Sequence, residues 1–130
     1  MRAVVVLALA LSLAACGGGA GGGMSMTDAA KQFVESSFKG EKQAWLAVAC
    51  EAIKGQSASL SAPPEGFSVN FSALKYEVKE ERGDSGKVAI SGSLKMTMAG
   101  VSQEQDLGDL GLSELPMKRE GGSWKACPSN

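Results

Sequence analysis

The residues of this chain that could perform chemistry are few. There are three cysteines, Cys16, Cys50 and Cys127, one tyrosine, Tyr76, and no histidine. Because Cys50 and Cys127 stand alone without histidine, they cannot form a usual zinc site unless carboxylates complete it. A cysteine nucleophile normally depends on a neighbouring histidine or cation, so this chemistry is equally poorly supported. The residue types predict structural or anchoring roles for the cysteines, and no metal or other cofactor.

The carboxylates and the tyrosine form no evident pair of general acid and general base. Strand alternation places Tyr76 among apolar neighbours, so we expect it in the core with its hydroxyl at the rim. Asp84 lies in a turn, where aspartate is expected for its local hydrogen bonds. Asp106 and Asp109 belong to a Leu/Gly-rich segment that is more typical of an exposed loop or edge strand. Since general acid–base catalysis needs a positioned pair of groups, we do not expect an enzyme.

An apolar N-terminal stretch ends in the segment Leu13-Ala14-Ala15-Cys16, after a single cation at Arg2. This pattern resembles the lipobox of bacterial lipoproteins. The resemblance implies that Cys16 takes a diacylglyceryl group, that residues 1–15 are removed as a signal peptide, and that the new amine takes a fatty acyl chain such as palmitate. The alternatives are a plain secretory signal cut near Ala15 and a transmembrane helix, although the apolar core of about 11 residues is short of the ~20 that span a bilayer.

Residues 16–23 combine this cysteine with a run of glycine broken only by Ala20. Two or three acyl chains on one cysteine hold a protein at a membrane without crossing it. The glycines predict a flexible tether with a root-mean-square span of roughly 15 Å. We therefore expect a protein of the bacterial cell envelope, lipid-anchored to a membrane and facing the periplasm or the cell exterior.

Residues 24–130 are predicted to form a single α+β domain. Once Arg2 is removed, 12 basic residues remain of the original 13 against 14 acidic ones, which is a formal charge of −2. The lysines are scattered, whereas nucleic acid and anionic lipid head groups demand a clustered basic surface. Apart from the membrane that holds the anchor, the expected partner is an envelope protein or a small ligand.

With Cys16 used by lipid, Cys50 and Cys127 remain as an even pair in an exported domain. Such a pair predicts a disulfide. In the chain-entropy model, closing so long a loop is worth up to about 4.5 kcal/mol.

Helical periodicity starts after Ser25, with Ser25 or Thr27 as the possible N-cap, and stops at Gly40. A second helix is predicted from about Glu41 to the stop signal Lys54-Gly55. Both have one apolar face, and we expect Trp45 in the core. The apolar stripes comprise Ala30, Phe33, Val34 and Phe38 in the first helix, and Trp45, Val48, Ala49, Ala52 and Ile53 in the second.

After Pro63-Pro64 the period changes to two, which is typical of strands. Residues 74–82 and 87–98 are predicted to form a long antiparallel hairpin around the turn Gly83-Asp84-Ser85-Gly86. A last hairpin is indicated around Glu120-Gly121-Gly122, while residues 101–114 give no clear assignment. Helices followed by a meander of strands indicate an α+β fold with the helices packed on one sheet face.

The element order and the ending of residues 115–127 resemble small bacterial domains of the nuclear transport factor 2-like (cystatin-like) fold. That resemblance implies N-terminal helices on a curved antiparallel sheet, a half-open cone, and a cysteine pair at the positions of Cys50 and Cys127. Alternation, however, turns Cys127 away from the face of Trp124. Either the strand has ended by Cys127, a bulge re-aims it, or the bridge is absent. The residues expected to line the cone are Phe33, Trp45, Tyr76 and Met96.

This fold hosts binders, enzymes and assembly modules, so it implies no single activity. We expect a non-enzymatic binding or assembly module. The alternative is small-molecule binding, or a weak lyase or isomerase activity, in the cone. A deep cavity with a converging polar group would favour the alternative. A filled cone together with an exposed apolar patch would favour a protein partner. A homodimer through the open sheet face is compatible with either.

Overall fold

The structure, a computed structural model, describes residues 24–128. Helix α1 spans Met26–Lys39, with Ser25 as its N-cap, whose Oγ accepts a hydrogen bond from the Asp28 N–H at 3.2 Å. Gly40 ends the helix in the left-handed conformation, at φ 68°. The first predicted helix is thus confirmed with its cap and its stop. The predictions for Cys16, the signal peptide and the tether lie outside the described residues.

The second helix is shorter than predicted. Helix α2 spans Lys42–Val48, and a 3₁₀ segment follows at Glu51–Ser59. Between them Ala49 and Cys50 are extended; Ala49 forms a parallel bridge with Ala126, and the Cys50 N–H donates to the Ala126 carbonyl at 3.0 Å. The periodic pattern continued to Lys54, but pairing with the last strand competes with the helix and ends it. Tertiary contact overrides local propensity here.

Within residues 24–128, seven strands form two antiparallel sheets. The four-stranded sheet has the order β2-β3-β6-β7, and the three-stranded sheet has the order β1-β4-β5. The bounds are β1 Phe67–Asn70, β2 Lys75–Arg82, β3 Ser85–Ser91, β4 Ser93–Met98, β5 Val101–Asp106, β6 Glu114–Glu120 and β7 Ser123–Ala126.

The predicted long hairpin is correct only in its first half, because Gly92 divides the second strand. Strand β3 pairs with β2, whereas β4 leaves that sheet and pairs with β1 and β5. Gly92 has φ 102°, and a Cβ at this position would lie 2.2 Å from the Ala73 carbonyl oxygen. Only glycine fits this corner, and alternation alone does not reveal that the chain changes sheets there.

Helix α1 packs against strands of the four-stranded sheet, and α2 packs against β7. The α+β class and the packing of helices on a sheet are therefore confirmed. The predicted last hairpin is also confirmed, as β6 and β7. Strand β7 ends at Ala126, so Cys127 lies beyond the strand and the alternation of side chains does not determine its direction. Among residues 24–128, no helix is both long and apolar enough to cross a membrane.

The segment that gave no clear assignment forms β5 and then a compact turn. The Leu107 side chain is fully buried, although the residues beside it are exposed. The Leu107 N–H donates to the Gly92 carbonyl, and the Leu107 carbonyl accepts from Leu110 and Leu112. The turn therefore closes against the corner where the chain changes sheets.

Candidate functional site

Two of the four predicted cone residues lie together in the core. Phe33 on α1 and Trp45 on α2 are 7% and 3% exposed. Their ring centroids are 5.5 Å apart. These rings occupy the interior between the helices and the four-stranded sheet, where they contribute packing rather than the wall of a ligand cavity.

Tyr76 lies at the start of β2, opposite Ile90, and is half-buried. Its hydroxyl oxygen is buried rather than at the rim, contrary to the prediction, and has no hydrogen-bond partner among the described residues. Burial raises the pKa of Tyr76 to about 12, and the negative charge of Glu35 acts in the same direction. Tyr76 is therefore neutral at physiological pH, where its hydroxyl can donate but is not a base.

Met96, the fourth predicted cone residue, lies on the three-stranded sheet. Phe33 and Trp45 lie on the helices that pack against the four-stranded sheet. That sheet has two chemically distinct faces. One face carries the cross-strand row Phe67, Met98 and Val101, and the next row on it contains Met96 and Gln103. The residues between them point the other way and are polar.

We call Phe67, Met96, Met98, Ala99 and Val101 the apolar face. It borders a shallow groove of about 470 Å³, to which Gln103 also contributes. Met98 is 49% exposed and Val101 is 65% exposed. Large apolar side chains that share one exposed groove are typical of an interaction surface.

A two-residue turn joins β4 to β5 at the tip of this face. Met98 pairs with Val101, so Ala99 and Gly100 form the whole loop. Both have positive φ, 50° and 83°, as a type I′ turn requires. Ala99 is the one non-glycine residue with positive φ among the described residues. Ala adopts this region at a cost, so the turn is held by the strands that it connects.

The opposite face of this sheet and one flank of α1 form a polar cleft of about 690 Å³. Lys31 and Glu35 line it from the helix, and Lys95 lines it from β4. None of these three side chains has an ion-pair partner within 4.0 Å in the part of the chain that the structure describes. The hydroxyl oxygens of Thr97 and Ser102 lie 2.9 Å apart on its floor.

The outward face of the four-stranded sheet differs from the apolar face. Lys87 lies 3.5 Å from Glu114, and Lys118 lies 3.8 Å from Glu120. Such exposed pairs contribute little stability, but they keep this face polar.

Of the acidic residues singled out in the sequence, Asp106 serves local structure through its side chain, and Asp84 contributes a backbone carbonyl. The Asp106 Oδ1 accepts a hydrogen bond from the Gly108 N–H at 2.7 Å, and the Asp84 carbonyl accepts from the Arg119 N–H at 2.7 Å. Within residues 24–128, no three His, Cys, Asp or Glu side chains are grouped to hold a metal ion.

The cysteine pair is brought together. The sulfur atoms of Cys50 and Cys127 lie 2.10 Å apart, at disulfide distance, with a sequence separation of 77 residues. Cys50 is fully buried.

Sequence reasoning named Met96 but missed Met98, Ala99 and Val101 as site residues. Alternation of Met96, Thr97 and Met98 signalled that one face of this strand is apolar. It did not signal that this face is open to solvent at Met98 and Val101.

No family model, no curated protein and no solved structure matches this chain.

Proposed function

We propose that this chain is a lipid-anchored lipoprotein of the bacterial cell envelope, and that its domain binds a protein partner through the apolar face. The observation that carries this proposal is the exposure of Met98 and Val101 beside an interior that Phe33 and Trp45 fill. A filled interior leaves little room for a ligand in the cone. An exposed apolar groove favours association with another apolar surface.

We infer a nuclear transport factor 2-like (cystatin-like) domain, supported by helices before strands, the closing hairpin of β6 and β7, and the Cys50–Cys127 pair at disulfide distance. An experimental structure of the domain tests this inference, because the fold requires the two sheets to form one curved surface around the helices.

The anchor rests on the sequence around Cys16. Cys16→Ser should release the protein from membranes and remove the acyl mass from the mature chain, since acyl burial alone holds it there. Fractionation of cells that express either form, followed by intact mass spectrometry, measures both effects. A Cys16→Ser variant that stays with the membrane and is released only by detergent contradicts the lipobox interpretation.

The partner is tested by placing a photo-crosslinking residue at Met98, and at Lys118 as a control on the charged sheet face. We expect a discrete protein adduct from position 98 and none from position 118. Val101→Ser in the same chain should weaken the adduct, whereas Lys79→Ser, at an exposed position of β2, should leave it unchanged. Adducts to lipid alone, or equal adducts from both positions, contradict a protein partner on the apolar face.

The polar cleft supports a second candidate function, the binding of a small polar ligand. The volume of the cleft suits a ligand of moderate size. The charged groups of Lys31, Lys95 and Glu35 form no ion pair within the described part of the chain, so they are available to bind a ligand. Native mass spectrometry of protein purified from its own envelope distinguishes the two. A small-molecule adduct that is lost on denaturation favours the cleft, and the mass of the lipidated chain alone favours the protein partner. A mass of twice that value identifies a homodimer.

A further inference from the structure

Strand β5 presents an unpaired edge in the three-stranded sheet. It pairs with β4 on one side, and no other strand within residues 24–128 pairs with it. The register runs without a shift from Ser93 opposite Asp106 to Met98 opposite Val101. A regular edge of six residues is a template for a further strand.

The other sheet edges are blocked in ways that β5 is not. Strand β2 has a register shift between Val78 and Glu80, and its sequence KYEVKEER is dense in charge, including two lysines. Strand β7 is bridged by Ala49, and β1 has only four residues. Bulges, lysines, shortness and cover are the usual means of protecting an edge, and β5 has no bulge, lysine or proline.

The hairpin turn determines which amides of β5 face outward. In a type I′ turn the Met98 carbonyl accepts from the Val101 N–H, so Val101 directs its backbone groups toward β4. Bonded and non-bonded pairs alternate along an antiparallel ladder. The backbone groups of Ser102 and Glu104 therefore point to the open edge, while those of Gln103 and Gln105 are used by β4.

The side chains of β5 specify the chemistry of an added strand. Val101 and Gln103 continue the apolar face, whereas Glu104 and Asp106 lie on the opposite face. Neither carboxylate lies within 4.0 Å of a cation in the described part of the chain, including Lys95, the cross-strand neighbour of Glu104. A strand with apolar residues on one face and Lys or Arg on the other would extend the apolar groove and place cations beside both carboxylates.

The same charges act against a second copy of this chain at this edge. β5 carries two acidic residues and no basic one. If the β5 strands of two copies paired with each other, these like charges would be brought together and would repel.

We propose that β5 binds an extended segment of a partner protein, with alternating apolar and basic residues, as an additional strand of the three-stranded sheet. This inference rests on the proposed function in taking the apolar face as the contact surface. It adds the edge that is used and the chemistry of the segment. Main-chain hydrogen bonds supply affinity, and the alternate side chains supply specificity.

The test uses the mature lipidated protein in detergent micelles and two capped hexapeptides, one alternating Lys and Val and the other alternating Glu and Val. Amide exchange is followed residue by residue by NMR. With the Lys/Val peptide we expect slower exchange at Ser102 and Glu104 and little change at Gln103 and Gln105, whose amides are already bonded. Equal binding of both peptides, or protection without this alternation, overturns the proposal.

Two variants separate the main-chain contribution from the charge. Glu104→Pro removes an outward N–H that β4 does not use, so the strand tolerates it. We expect it to weaken the binding of the Lys/Val peptide at least tenfold. Glu104→Gln keeps the N–H and should weaken binding about threefold, because an exposed ion pair contributes little. Glu77→Gln, on β2, is the matched control and should leave binding unchanged.

A Lys/Val peptide with N-methyl groups on alternate residues provides a test that does not depend on variant folding, since methylation removes the donors on one edge. We expect one of the two methylation patterns to abolish binding, and equal binding of both overturns the proposal. A dimer of the peptide-free protein that Glu104→Pro dissociates would identify a second copy as the occupant and also overturn it. If the peptides fail while the Met98 adduct persists, the edge inference falls and the proposed function stands.

Discussion

Cys50 and Cys127 lie with their Cα atoms 5.3 Å apart across 77 residues of sequence. Cys50 stands where α2 has given way to extended backbone, and Cys127 is the first residue beyond β7. Their N–H groups are also engaged: Cys50 donates to the Ala126 carbonyl, and Cys127 donates to that of Pro116. The pair thus joins the helical layer to the last strand of the four-stranded sheet.

We expect Cys50→Ala together with Cys127→Ala to lower the free energy of unfolding by about 2–4 kcal/mol, because the bridge restricts the unfolded chain. Urea unfolding of the oxidised wild type and of the double variant measures the difference. Reduced wild-type protein is the control and should resemble the variant. Superimposable curves for oxidised and reduced protein would contradict a stabilising bridge.

Gly92→Ala should destabilise the protein by about 2 kcal/mol or more, because the new Cβ meets the Ala73 carbonyl oxygen in a left-handed backbone conformation. Gly55→Ala is the matched control: nothing lies within 4 Å of its added Cβ. We expect this control to change stability by less than about 1 kcal/mol. Thermal unfolding of the wild type and both variants measures the midpoint of each. Equal midpoints for the two variants would show that the corner does not require glycine.

Leu107→Ala should cost about 2–5 kcal/mol, because it empties a fully buried site in the turn after β5. Leu110→Ala, three residues later and 40% exposed, should change stability by no more than about 0.5 kcal/mol. Chemical denaturation of the two variants checks the contrast. Similar small losses for both leucines would mean that the turn does not close on the core.

Tyr76 is the sole tyrosine, so its titration is read directly from the ultraviolet absorbance of tyrosinate. In the folded protein its pKa is raised to about 12, against about 10 in the unfolded chain. As the pH rises, the unfolded state therefore releases the Tyr76 proton before the folded state does. The contribution of the protonated Tyr76 to the free energy of unfolding is complete below pH 10 and is lost as the pH rises through 12.

Tyr76→Phe should remove that component of the alkaline loss and also raise stability near neutral pH, because it eliminates a buried hydroxyl without a partner. Unfolding of the wild type and the variant at pH 8, 10 and 11 measures both effects. The prediction fails if folded wild-type protein titrates near pH 10, or if the two proteins lose stability in parallel above that pH.

Elements with local signals were predictable from sequence. The Ser25 cap and the Gly40 stop bound α1, and the glycine turn between β6 and β7 marks the last hairpin. These signals act within a few residues and need no distant contact. The end of α2 was not predictable, because its cause is Ala126, far along the chain.

The predicted cone residues show the same contrast between what local sequence predicts and what distant contacts decide. Helical periodicity correctly placed Phe33 and Trp45 on buried faces, but grouping them with Met96 required knowing which sheet β4 joins. Gly92 marks the corner where β4 leaves the four-stranded sheet, and its positive φ and the close approach of Ala73 leave no room for a side chain there.

The sequence by itself determined that Met96 and Met98 share one face of a strand and that Thr97 lies on the other, because side-chain alternation is a property of the extended backbone. Only the tertiary structure decided that this apolar face is buried at Leu94 and exposed at Met98 and Val101. The reason is physical: which part of a strand face is covered depends on the elements that pack against it, and alternation within the strand carries no information about those elements.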